Sequence, residues 1–411
     1  MEIKSRGFEK TVQLINKGVD IPNPSTIDIG SEVKIDRISG KDVRIYPGCR
    51  IYGEKTVISA GCRIGYEAPA TIDNCQLGPK VELKGGYFNK SVFLEQANMG
   101  SGAQVREGCI LEEEANGAHC VGIKQTILFP FVTLGSLINF CDCLMAGGTS
   151  RKDHSEVGSS YIHFNFTPDG DKTTASLFGD VPRGVMLNQP AIFLGGQGGA
   201  VGPCRLGYGN VVAASSVLRN DYTGDNRLIV EKSKPGKEID FAPRAYPDIR
   251  RTLENNILYI ANLMALEEWY LHVRRPFFAA QEFGSLIYSG LMDKLDLGKK
   301  ERIKHLQALA EKAKKSSGRK AANAGRSELC DRFPEIEALF SSSAGDGGAE
   351  KYRDDFLASF EKSKGKAGYI AAVQSLPAEV SLKGTAWLQA VVDAYCREAK
   401  KALPALKLFG I

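Results

Sequence analysis

The sequence predicts a mainly β fold with an α-helical C-terminal part: a parallel β-helix over residues 27–220, then a helical domain over 248–411. Three observations carry this prediction. Aliphatic residues recur every six positions, as in Ile45, Ile51 and Val57, then Met99, Val105 and Leu111, and again Leu206, Val212 and Leu218. Small residues cluster between these anchors, as in Pro47-Gly48-Cys49, Ala60-Gly61-Cys62 and Ala213-Ala214-Ser215. After Pro247 the spacing becomes helical, through Ile249, Leu253, Ile257, Ile260, Met264 and Leu271. A step of six matches neither a helix (about 3.6) nor a lone strand (about 2). It suits a triangular coil in which each hexad forms one flat side and its aliphatic residue points inward.

Taken in order, residues 1–26 read as a short leader with one helix, ending at Pro22-Asn23-Pro24. The hexads of 27–220 are interrupted at Ala146–Asp153 and at the glycine-dense Leu194–Gly202. Both interruptions are expected to leave the coil as loops, since solenoid insertions map to one face and often border a binding site. Residues 221–247 are polar and punctuated by proline and glycine, and read as a connector. Beyond the helix after Pro247, helices are predicted at 299–315, 325–340, 350–363, 365–375 and 385–402, with Ser341–Gly348 as a flexible joint. The helices are expected to form a C-terminal domain or to pack against the last coils; since a coil end exposes unpaired strand edges and an apolar cross-section, capping it is their default role.

Composition narrows the function classes. The formal net charge is +5 over 411 residues, and the positive excess lies after Phe241. The densest basic cluster, Lys312, Lys314, Lys315, Arg319 and Lys320, lacks aromatic interleaving and reads as a solvated helix face. No nucleic-acid partner is expected. No apolar run has the length of a membrane span, and MEIKSRGFEKTVQL lacks a secretory apolar core. The expectation is a cytoplasmic protein without membrane insertion. Of ten cysteines, Cys49, Cys62 and Cys109 sit at equivalent repeat positions and read as free buried thiols. Cys141-Asp142-Cys143 lacks the spacing of a zinc site, so no metal is implied.

The residues that carry chemistry are cationic. Arg106 and Lys124 are eighteen residues apart. If eighteen residues make one turn, they stack on one face, where a guanidinium fork and an ammonium could meet phosphate oxygens together.

The surrounding motifs resemble a known family. Val105-Arg106-Glu107-Gly108 precedes an acidic run, Ile123-Lys124-Gln125 follows, and Phe164-Asn165-Phe166-Thr167-Pro168-Asp169-Gly170-Asp171-Lys172-Thr173 forms a later loop. Together with Leu206–Asp221, they resemble the C-terminal half of the bacterial bifunctional N-acetylglucosamine-1-phosphate uridyltransferase and glucosamine-1-phosphate acetyltransferase. The likeness covers roughly residues 30–235. It implies a left-handed hexapeptide-repeat β-helix, a homotrimer with acetyl-transfer sites between subunits, and acetyl-CoA as cosubstrate. It places Arg106, Lys124, Asn165 and Lys172 at substrate-binding positions for an amino sugar phosphate or a sugar nucleotide such as UDP-N-acetylglucosamine. Ala213 and Ala214 match the coil near which the thioester arm lies. The segment before the hexads offers no glycine-rich nucleotide loop, so no uridyltransferase activity is expected.

The family's general-base histidine and its following tyrosine are replaced here by Ser136 and Asn139. Serine is no base at neutral pH without a partner, and an attacking amine must lose a proton. His154, in Lys152-Asp153-His154-Ser155-Glu156, and His163, beside the sugar-loop motif, are the candidates to take over the role. Lys232, Lys234 and Lys237 could meet a nucleotide phosphate. His119, His272 and His305 receive no role. Two readings follow: a sugar N-acyltransferase, or a non-catalytic sugar-nucleotide-binding or assembly protein that has lost its base. A purely structural trimer is the third.

Overall fold

The computed structural model describes residues 7–165, 168–231, 236–238, 240, 246, 248–316, 320–341, 348–365 and 368–410, with the backbone alone for 320–323. Three parallel sheets of ten, eight and ten strands wind into a three-sided solenoid, consistent with the coil that the resemblance implies. One coil runs through Ala103–Val105 in the first sheet, Ile110–Leu111 in the second and Asn116–Gly117 in the third, then re-enters the first at Val121–Lys124. The first sheet stacks one inward residue per coil: Phe88, Val105, Ile123, Phe140, His163, Ala200 and Leu218. Apart from His163, aliphatic and aromatic side chains fill this column, because an unpartnered polar group buried there would lose its hydration. Cys49, Cys62 and Cys109 are free and buried, and burial pushes the Cys62 thiol up to about 12.

Helix α1 (Phe8–Lys17) closes the first coil, with Lys17 donating to the Ile35 and Ile38 carbonyls. The third sheet ends at Leu228–Ile229, paired with Val211–Val212, beyond the expected end of the coil at residue 220. Ala146–Asp153 leaves the coil as predicted: Gly148–Ser150 and Asp153–His154 form a small antiparallel arm. Leu194–Gly202 does not. Phe193–Leu194 and Gly199–Val201 are ordinary strands of the third and first sheets. The glycines instead let successive coils touch: a Cβ on Gly195 would stand 2.4 Å from the Ala214 nitrogen, and one on Gly158 equally near the Gly196 nitrogen. Gly195→Ala is therefore expected to destabilise the protein by about 1–3 kcal/mol, the usual cost of overpacking, read by urea unfolding. The true excursion at this level contains the short helix α2 (Val181–Gly184), whose Asp180 caps the Arg183 nitrogen.

The helical part comprises α3 (Arg250–Trp269), α4 (Arg275–Ala279), α5 (Gly284–Lys314), α6 (Lys320–Asp331), α7 (Phe333–Ser341), α8 (Glu350–Ser363), α9 (Tyr369–Gln374) and α10 (Ala378–Ala402). A π-helical turn, Tyr270–Arg274, joins α3 to α4. The predicted 299–315 helix is the second half of the 31-residue α5, and the predicted 325–340 helix is broken between α6 and α7. Of the basic cluster, Lys312 donates to Asp171 and Lys314 to Asp331, while Arg319 and the Lys320 side chain lie outside the described residues.

These helices do not simply cap the coil end. They lie along the second sheet, from Gln76, reached by Lys294 of α5, to strand Ser176–Phe178, packed by α3. The outward column of that sheet is Val57, Gln76, Val92, Ile110, Ile127, Leu144 and Leu177, all buried. Its counterpart on the third sheet begins Arg44, Arg63, Glu82, Asn98 and Asn116 and faces solvent. An apolar outer face this long must be covered, which explains why the helices run beside the spindle.

Candidate functional site

Where the first sheet turns into the second, a cleft of about 330 Å³ opens between the solenoid and α5. Its solenoid wall carries Arg106, Lys124, Asn139, Asn165 and Lys172, and its helical wall carries Glu301, Arg302 and His305. The register explains the cations. Val105 pairs with Ile123, so Arg106 and Lys124 follow paired residues and emerge at one corner, one coil apart. The Arg106 backbone nitrogen donates to the Ile123 carbonyl at 2.9 Å.

Lys124 donates to Glu107 at 2.7 Å, with a quarter of its side chain exposed. Burial opposes ionisation of Glu107, but the Lys124 bond and the charges of Lys124 and Arg106 hold its carboxyl below the usual range. Among the described residues, Arg106 and Lys172 form no ion pair, and both are exposed. Two cations without anionic partners beside a third make an anion-attracting pocket.

The helical wall is pinned in place. Arg302 is 2% exposed and donates to Asp142 at 2.7 Å and to the Lys172 carbonyl at 3.4 Å. Thr174 donates to the other Asp142 oxygen at 3.0 Å. Four residues along α5 from Glu301, His305 presents Nε2 to Glu301 Oε1 at 3.0 Å. Burial and the Arg302 charge hold this imidazole below its ordinary range, against the raising pull of Glu301 and Asp142.

The other sequence candidates separate. His163 touches the cleft from within: it occupies the inward column between Phe140 and Ala200 and is 3% exposed. Its Nε2 is 2.8 Å from Ser176 Oγ, and rings of Phe140 and Phe178 stand edge-on to it. Burial pushes its pKa down to about 4, so at neutral pH it is an uncharged core residue. A depressed histidine stabilises the fold above its unfolded pKa and loses that contribution as pH falls toward the folded value. Stability is thus expected to decline by about 3 kcal/mol between pH 6.5 and 4, and His163→Phe to flatten that decline in urea unfolding series.

His154 lies on the antiparallel arm at the corner between the second and third sheets, away from the cleft. Its Nδ1 is 2.9 Å from the Arg151 carbonyl and its Nε2 3.9 Å from Glu156. Ser136 lies at the corner between the third and first sheets, 2.9 Å from His119 Nδ1. Ala213 and Ala214 lie on that same corner, further along the spindle. Asn139 faces outward on the first sheet, beside Gly122, and reaches the cleft. Phe166, Thr167, Lys232 and Lys234 lie outside the described residues, and Lys237 is exposed. Glu301 and Arg302 were missed, and His305 was named but given no role. The signal that could have found them is a glutamate and a histidine four apart on one helix face, together with a solenoid side that needed a helix over it.

The three-sided coil of short parallel strands, with its six-residue step, defines a hexapeptide-repeat β-solenoid. No protein-family model matches the chain. In sequence the chain is similar to proteins named bifunctional protein GlmU. The Thermotoga maritima relative is 29% identical over 214 residues, which are 52% of this chain and 42% of that protein. The Thermosipho melanesiensis relative is 28% identical over 55% of this chain and 45% of its own length, and the Acinetobacter baumannii relative 28% over 53% and 43%. The match thus spans less than half of these relatives. No helix among the described residues is long and apolar enough to cross a membrane, and none of their His, Cys, Asp and Glu side chains gather in a group able to hold a metal.

Proposed function

We propose that this protein is an N-acyltransferase acting on an amino sugar phosphate or a nucleotide-linked amino sugar, with acetyl-CoA as donor. The observation that carries the reading is the convergence of Arg106, Lys124, Asn165 and Lys172, drawn from different coils, on one cleft. Arginine meets phosphate oxygens with a planar fork and lysine with a point charge, and asparagine offers both a donor and an acceptor to a sugar hydroxyl. Similarity to the GlmU proteins supports the same class.

The working unit of this reading is a homotrimer. With the second sheet covered by helices, the first and third remain for subunit contact. Phe193, Val211 and Leu228 form one outward column on the third sheet and are exposed, Leu228 by 71%. Light scattering is expected to return three times the chain mass of 44.6 kDa. A monomeric mass removes the trimer from the proposal.

The test of activity is thiol release from acetyl-CoA with a panel of amino sugar phosphates and UDP-amino sugars. Release that depends on the amino sugar supports the proposal. Tight calorimetric binding of UDP-N-acetylglucosamine without any release favours instead a binding protein, the reading that Ser136 and Asn139 motivate. Neither binding nor release refutes both.

A further inference from the structure

We infer that His305, oriented by Glu301, is the proton acceptor of the cleft, so that the helical half completes an active site which the solenoid begins. The inference rests on the acyl-transfer reading and names a residue that it lacks. Among the described residues, the solenoid wall of the cleft offers cations and amides but no free base. His163 is sealed in the core with its Nε2 on Ser176, and Asp142 is occupied by Arg302 and Thr174. On the opposite wall, His305 lines the cleft with a carboxylate on one ring nitrogen.

That carboxylate fixes the N–H on Nε2 and leaves the lone pair on Nδ1, the arrangement by which an oriented imidazole accepts a proton. The charged groups acting on the ring are Glu301 and Arg302 of its own helix and Asp142 of the solenoid, with Arg106, Lys124 and Lys172 sharing the cleft. The buried bond of Arg302 to Asp142 holds this stretch of α5 against the coil, so the base sits on a rigid element.

The step balances as follows. The amine lone pair attacks the carbonyl carbon of the acyl thioester, the C–N bond forms and the C–S bond breaks. The proton leaving nitrogen passes to Nδ1 of His305 and from there to the departing thiolate, giving an amide and a free thiol. His305 is neutral in the empty cleft and in the reacting complex; the substrate's phosphate raises its proton affinity, so that binding at mildly acidic pH draws a proton onto the ring, the state that the acidic limb of the rate reports.

The experiment uses the full chain and two variants, His305→Gln and Glu301→Gln. One readout is turnover of glucosamine 1-phosphate and acetyl-CoA across pH. The second needs no turnover: proton uptake on binding glucosamine 1-phosphate, measured calorimetrically in buffers of different ionisation enthalpy. The expected result is a roughly 100-fold or greater loss of kcat in His305→Gln with KM little changed, since general-base catalysis contributes on that scale. The acidic limb of the rate profile disappears in that variant, as does proton uptake on binding. Glu301→Gln removes a charge that favours the imidazolium, so its acidic limb moves to lower pH with a smaller loss of rate. Unchanged turnover in His305→Gln, or proton uptake that is absent from the wild type or survives the substitution, overturns the inference. Proton uptake that depends on His305 in a protein with no turnover overturns acyl transfer while leaving His305 as the proton acceptor.

Discussion

Replacing Arg274 with alanine is expected to cost about 3–5 kcal/mol of stability, the range measured when one partner of a buried ion pair is removed. Arg274 is 1% exposed and grips Glu113 with both terminal guanidinium nitrogens, at 2.7 and 3.1 Å. Its face lies 3.6 Å from the centre of the Tyr369 ring, with Phe278 at 5.4 Å. The residue therefore joins the turn after α3, helix α9 and the solenoid corner at Glu113. Loss of the guanidinium strands a carboxylate that is 12% exposed and leaves a void under Tyr369. A double variant, Arg274→Met with Glu113→Leu, is expected to recover most of the stability, because it removes the stranded charge and refills the space.

The penalty should depend on pH. Burial, tempered by Arg274, raises neighbouring Glu112 to about 7, and Tyr270 is hydrogen-bonded to it. A carboxyl whose folded pKa lies above its unfolded value contributes stability at low pH and loses it as pH rises through the folded value. Without Arg274 the Glu112 carboxyl rises further, so the gap between wild type and Arg274→Ala should be wider at pH 8 than at pH 5. Urea unfolding at the two pH values reads this directly; an equal penalty at both would refute the coupling.

Removing a cation from the cleft is expected to have the second-largest effect. Arg106→Ala should weaken binding of UDP-N-acetylglucosamine by about 10- to 100-fold, the loss of a charge-assisted hydrogen bond of about 1.5–3 kcal/mol. Lys124→Ala should weaken it more. Lys124 neutralises Glu107 at 2.7 Å, so its loss both removes a cation and frees an anion beside the phosphate. Raised salt should weaken wild-type binding through screening and weaken the variants less. Arg106→Lys should recover part of the loss, since lysine restores charge without the planar fork. Titration calorimetry checks each case, and an unchanged Kd in both alanine variants would remove the phosphate from the cleft.

Much of the fold was legible because a solenoid repeats. Each inward position answers to the same narrow interior, so Val105, Ile123 and their neighbours announce the coil by spacing alone. The alignment of Arg106 with Lys124 followed from that spacing, since hydrogen-bonded coils carry any exposed pair into stacked positions. Two readings failed where sequence periodicity could not report on neighbours. The glycines of Leu194–Gly202 looked like a loop, yet they mark close approach of the Gly195 corner to Ala214. His163 read as a candidate base beside the sugar-loop motif, yet the coil pairs it with Phe140 and Ala200 in the inward column.

The largest omission was the extent of the covering layer. Val57-Ile58, Val92-Phe93, Ile110-Leu111, Ile127-Leu128 and Leu177-Phe178 are adjacent apolar pairs, and all are buried on both sides. A solvated coil side would alternate apolar and polar residues, so these pairs already implied a partner for the second sheet.

The amino-acid sequence by itself determined the three-sided coil, its inward column and the shared corner of Arg106 and Lys124, because each of these is a local consequence of a repeated step. The tertiary structure alone decided which wall faces those cations. Glu301, Arg302 and His305 are some 130 or more residues further along the chain than Lys172 or Asp142. They arrive through the packing of a helix on a flat apolar side, a contact that depends on the shapes of two surfaces and leaves no period in either segment.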